Sequence, residues 1–247
     1  VHRSSIVFLG DSITDYGDWS EWLGNPRVIN RGISGASNAR DDGYVLRVDG
    51  TLVIRNTHAT NTSSFLSGNN TGNGGAIYVG KGGVLTIQNS IEIAGSNAGG
   101  FGGAIYLEEG ATLNITSGNI HGNNAGLDGG AIYAANGARI NISGAPIIRN
   151  NTSQISFTDN IFLQDGMLLT RGGAMAAGAE VGISLENGLG QFIDSRDGIL
   201  ADYFKADSDI FYTVGETTEG GKNGLGLILN SDTMSQRWSN AVKRSQD

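Results

Sequence analysis

The chain has 247 residues, 40 of them glycine, with 2 prolines, no cysteine and a formal net charge of −8. No apolar run approaches the ~20 residues of a membrane-spanning helix, and disulfide and thiolate chemistry are absent. Hydrophobic residues at 38% are too many for a disordered chain. The glycines keep no G-X-Y period, and no basic run exceeds Lys243-Arg244, so collagen and a nucleic-acid-binding face are excluded as well.

From the N-terminus, Val1 to Leu9 lacks the charged start, long apolar stretch and small-residue cleavage site of a signal peptide, so the chain reads as a mature form or a fragment. Ile6–Leu9 reads as a buried strand entering the turn Gly10-Asp11-Ser12. That arrangement exposes a serine at a strand's C-terminal end, where an α/β sheet holds a nucleophile. Together with Val28-Ile-Asn-Arg-Gly-Ile-Ser-Gly35, the segment resembles the opening of SGNH (GDSL-type) esterases. The resemblance is confined to residues 4–35. It implies Ser12 as nucleophile and oxyanion donor, with Gly35 as a second backbone donor. A serine also needs a base, which that family supplies from a D-x-x-H motif. None of His2, His58 and His121 has an aspartate three residues before it, and the family's Asn-Asp pair occurs nowhere. His58, in the loop-like stretch nearest this segment, is the base candidate if the site is active. Residues 1–47 are therefore an incomplete SGNH-like segment: a cap on the adjoining repeat region, a chimaeric junction, or one part of an interrupted esterase.

Residues 48–165 repeat. Gly-Gly-Ala-Ile-Tyr recurs at Gly74–Tyr78, Gly102–Tyr106 and Gly129–Tyr133. Asn70, Asn97, Asn124 and Asn151 lie 27 residues apart, each preceded four residues earlier by an aliphatic: Leu66, Ile93, Ile120 and Ile147. Alternating strands recur at Leu85-Thr86-Ile87, Leu113-Asn114-Ile115 and Ile140-Asn141-Ile142. Period-2 alternation broken by Gly and Asn turns, with no sustained helical period, predicts short strands joined by turns alone. Parallel pairing must then run from one repeat to the next, which is a parallel β-helix with one coil per 27-residue unit and about four or five coils. The asparagine series is expected to stack as a structural ladder that satisfies turn backbone. Tyr78, Tyr106 and Tyr133 pack at a corner or form an aromatic stripe for sugars. His121 is expected in an exposed turn.

These GGAIY, G-A-T-L-N-I and G-N-I-H-G-N-N-A units resemble the right-handed β-helix repeats of bacterial surface and adhesin-like proteins. Phe157-Thr158-Asp159-Asn160 matches the F-x-x-N element associated with them. The resemblance spans about residues 48–230 and implies an exported surface or adhesive role.

Residues 166–231 read as a β-rich cap, and residues 232–247 as a polar helical tail. Asp41-Asp42-Gly43 and Asp207-Ser208-Asp209 lack an EF-hand frame and read as solvated turns, so no metal and no cofactor is expected. The fold class expected is all-β: a right-handed parallel β-helix with a short α/β-like N-terminal segment and a β-rich C-terminal cap. The expected function is extracellular or cell-surface display or adhesion without catalysis, with host or cell-wall glycans as partners and no nucleic acid or membrane span. The alternative is an SGNH-type carbohydrate esterase carrying the β-helix as an insertion.

Overall fold

The computed structural model describes residues 5–6, 46–55, 64–89, 91–194, 198–208, 210–219 and 222–231. Ser12, Gly35, His58, the Asp41–Gly43 turn and the tail from 232 to 247 lie outside the described residues.

The chain is a parallel β-solenoid of four turns, each carrying four faces, with a fifth turn that lacks the fourth face. The first face stacks Leu46–Val48, Ile77–Val79, Ile105–Leu107, Ile132–Ala134 and Ile161–Leu163. The second stacks Thr51–Arg55 and Val84–Gln88 with the leading halves of the long strands Thr112–His121 and Arg139–Ile148. The third stacks Ser64–Leu66 and Ile91–Ala94 with the trailing halves of those strands. The fourth is narrow: Asn69–Asn70, Asn97–Ala98, Asn124–Ala125 and Thr152–Ser153.

Alternation sets what faces inward. Leu52 and Ile54 stack under Leu85 and Ile87, then Leu113 and Ile115, then Ile140 and Ile142, and all of them are buried. The third-face column is Leu66, Ile93, Ile120 and Ile148. The 27-residue spacing places Ile147 there instead, but Ile147 pairs with Asn119 and faces outward. Strand Arg139–Ile148 holds one residue more than its neighbour across the turn, at a bulge where Gly144 takes φ +66. A one-residue slip exchanges the faces of everything after it.

The Gly-Gly pair has two separate causes. Gly74, Gly102 and Gly129 sit at φ +73, +69 and +72, a left-handed corner disfavoured for other residues. Their neighbours Gly75, Gly103 and Gly130 lie against the backbone of the next coil, so a Cβ on Gly103 would strike the carbonyls of Gly130 and Asn124. The following alanines, Ala76, Ala104 and Ala131, are completely buried.

Parallel pairing does not stop at residue 165. Thr170–Met175 pairs with Arg139–Ile148, and Glu180–Leu185 pairs first with Ile147-Ile148 and then with Ile161–Leu163. That last strand crosses directly from the third face to the first, which is how the fourth face is lost. Phe204–Ala206 adds one more rung, and an antiparallel sheet of Gly190–Ile193, Lys222–Leu229 and Tyr212–Glu219 closes this end. At the other end, Ser5-Ile6 pairs in parallel with Leu52-Val53.

Candidate functional site

Side-chain polar groups are concentrated along the fourth face, and they form two ladders. The outer one joins Asn97 Nδ2 to Asn69 Oδ1 at 3.0 Å and Thr152 Oγ1 to Asn124 Oδ1 at 3.0 Å. The inner one is buried: Asn123 Nδ2 donates to Asn151 Oδ1 at 2.8 Å, and Asn151 Nδ2 to Asn160 Oδ1 at 2.8 Å. Backbone donors follow the same column, with the N–H of Ser96 on Asn123 Oδ1 at 2.9 Å and that of Asn123 on Asn151 Oδ1 at 3.1 Å. Asn151 Nδ2 also reaches the carbonyls of Ile120 and Arg149, each at 2.9 Å, so amide and turn satisfy each other.

The expected single ladder of Asn70, Asn97, Asn124 and Asn151 is therefore corrected. Asn97 and Asn124 belong to the outer column and Asn151 to the inner one. Asn70 opposes Ala98 and closes a local turn by accepting from the N–H of Gly72 at 2.8 Å.

The inner column ends on a carboxylate. Asn160 arrives only nine residues after Asn151, and its side chain enters the column at the level where the fourth face is missing. Asn160 in turn donates its Nδ2 to Asp207 Oδ1 and its N–H to Asp207 Oδ2 at 2.6 Å, while Ser184 Oγ donates to Asp207 Oδ2 at 2.8 Å. Asp159 does similar work beside it: its Oδ2 accepts the N–H of Gly129 at 2.8 Å. In earlier coils the equivalent glycine N–H groups bond the backbone carbonyls of Phe101 and Asp128. Side-chain oxygens thus replace the carbonyls that a further coil would have supplied. Asp207 is not the solvated turn residue that its sequence context suggests.

Burial sets the electrostatics of this end. It pushes the Asp207 carboxyl up to about 6, against the hydrogen bonds from Asn160 and Ser184, with the charge of Asp159 adding to the rise. Asp159 is raised mainly by the same cause and keeps one buried oxygen, Oδ1, without a hydrogen-bond partner. Among the described residues, no group of three or more His, Asp or Glu side chains converges as a metal site.

The tyrosines of the repeat do align. Tyr78, Tyr106 and Tyr133 are in register on the outside of the first face, and Phe162 continues them. Ring centroids are 5.2, 5.7 and 5.7 Å apart along this column, the last two pairs stacked with nearly parallel planes. The Arg47 guanidinium lies 5.0 Å from the centre of the Tyr78 ring, and Phe101 packs 4.3 Å from Tyr133, which is only 7% exposed. Ring faces are thus turned toward one another, leaving mainly edges outward. His121 is not an isolated turn residue: its Nε2 lies 2.8 Å from Glu92 Oε1 on the third face.

These features define a parallel β-solenoid with a polar, side-chain-capped end. No protein-family profile, no curated protein and no solved structure matches this chain.

Proposed function

We propose that this chain is an extracellular or cell-surface β-helix module for display or adhesion, non-catalytic, with host or cell-wall glycans as partners. The observation that carries this reading is the self-contained order of the solenoid. Its internal polar column is satisfied coil by coil and closed by side chains, and its outward groups also bond one another, as Asn141 Nδ2 does to Asn114 Oδ1 at 2.7 Å. Such a body is a rigid rod suited to presenting a surface. The likeness of its GGAIY units to bacterial surface-protein repeats supports the same reading. The parallel pairing of Ser5-Ile6 with Leu52-Val53 favours an N-terminal segment serving as an extra rung over one built into a separate hydrolase sheet.

Catalysis tests this reading. Purified protein should hydrolyse p-nitrophenyl acetate and acetylated xylan no faster than a Ser12→Ala variant, because a serine without a base keeps its proton. The alanine variant is the necessary control, since oxyanion donors and binding alone can exceed water by large factors. Turnover lost in Ser12→Ala would make the chain an SGNH-type esterase. On the binding side, failure to bind any immobilised neutral or acidic glycan would remove glycans as partners.

A further inference from the structure

Where the fifth coil omits the fourth face, the body and the closing sheet leave a cleft of about 550 Å³. We propose that this cleft binds a short neutral oligosaccharide, an inference that rests on the glycan-binding reading above. Its volume lies within the roughly 300–1,000 Å³ of small-molecule sites. Its origin is architectural: the strand Glu180–Leu185 takes the short path, so no strand occupies the place of the missing rung.

The lining suits a polyol. Ala201, Tyr212 and Val214, all partly exposed, supply apolar surface against which the C–H face of a sugar ring can lie. Around them stand groups of both signs. Arg149 and Glu180 form an ion pair at 3.4 Å, and Lys205, Asp202 and Asp207 share the cleft with the hydroxyls of Thr158 and Thr213. A single-sign ligand would meet repulsion from part of this wall. A sugar hydroxyl donates one hydrogen bond and accepts others, so it can bridge a carboxylate and an ammonium at once. The tyrosine column offers a poorer platform, because its ring faces are already occupied by neighbouring rings.

The test uses the full chain and calorimetric titration with four neutral trisaccharides: xylotriose, cellotriose, maltotriose and chitotriose. A sulfated trisaccharide and a hexa-lysine peptide serve as charged comparisons. At least one neutral trisaccharide should bind, and Lys205→Ala and Thr213→Ala, both at exposed positions, should each weaken it, the lysine change by about tenfold or more. Tyr106→Phe, two coils away on the first face, should leave the affinity unchanged, and thermal melts of all variants should coincide. Neutral-sugar binding that ignores both cleft variants would overturn the cleft while leaving the glycan-binding reading intact. Binding only of the charged probes would overturn the neutral ligand, and no binding of any probe would overturn the site, while the glycan-binding reading falls only if the immobilised glycans also fail to bind.

Discussion

The middle coils and the C-terminal end solve one problem in two ways. In the middle, each coil donates its hydrogen bonds to the backbone of the next, as Ala104 N–H does to Ala131 O at 3.0 Å. At the end, the next coil is incomplete, and Asn160, Asp159 and Asp207 offer side-chain oxygens in the same places. The contrast shows what ends a solenoid: neither a change of hydrophobicity nor a proline, but acceptors that let the last donors stay buried. Carboxylates do this at a cost, because burial disfavours their charge.

The largest expected effect breaks the middle. Ile120 is 1% exposed in the third-face column, so Ile120→Asp places an uncompensated charge among Ile93 and Ile148. Several coils should unfold together, with a stability loss above about 4 kcal/mol in chemical denaturation. Breaking the ladder should cost less. Asn151→Ala removes the acceptor for Asn123 and the amide donor to the carbonyls of Arg149 and Ile120, the latter keeping the N–H of Arg149, for a loss of about 3 kcal/mol in the same measurement.

The end of the rod is sharpened by pH. Asp207 has a folded-state value raised to about 6 from 3.8, so its contribution is present in full below about pH 4 and is lost as pH rises through 6. Asp159, raised mainly by burial, acts in the same direction. Thermal melts should therefore show greater stability near pH 5 than near pH 7.5, with about 1 kcal/mol of that difference from Asp207. Asp207→Asn should flatten that slope, although it sacrifices an acceptor and lowers stability at acid pH. The smallest effect belongs to the outside of the second face. Thr112→Asp, beside Arg139, should change stability by no more than about 0.5 kcal/mol.

The stack itself was legible in the sequence because period-2 alternation and Gly-Gly corners are local signals. Leu85 and Ile87, or Leu113 and Ile115, declare an inward face within three residues. The ladder was not legible at residue level. Asn69-Asn70, Asn123-Asn124 and Asn150-Asn151 are adjacent pairs, and a regular 27-residue spacing selects one member of each without regard to face. The structure assigns Asn123 to the inner column and Asn124 to the outer, while Asn150 takes a left-handed corner at φ +57 where the previous coil has Gly122. The extra residue near Gly144 completes the slip. Asp207 could not have been found from spacing, since it meets Asn160 across 47 residues of chain. Its nearest sequence signal is the F-x-x-N element, whose Asn160 leads to it and whose Phe157 is fully exposed.

Amide hydrogen exchange tests most directly whether side chains close the solenoid. In the wild-type protein, the N–H groups of Asn123, Asn151 and Gly129 should exchange far more slowly than that of Gly82 in an exposed turn. In Asn160→Ala, exchange at Asn151 should accelerate first and most, because its acceptor is Asn160 Oδ1, while Ser96, two rungs away, changes least. Asn151 exchanging in Asn160→Ala as slowly as in the wild type would contradict the account.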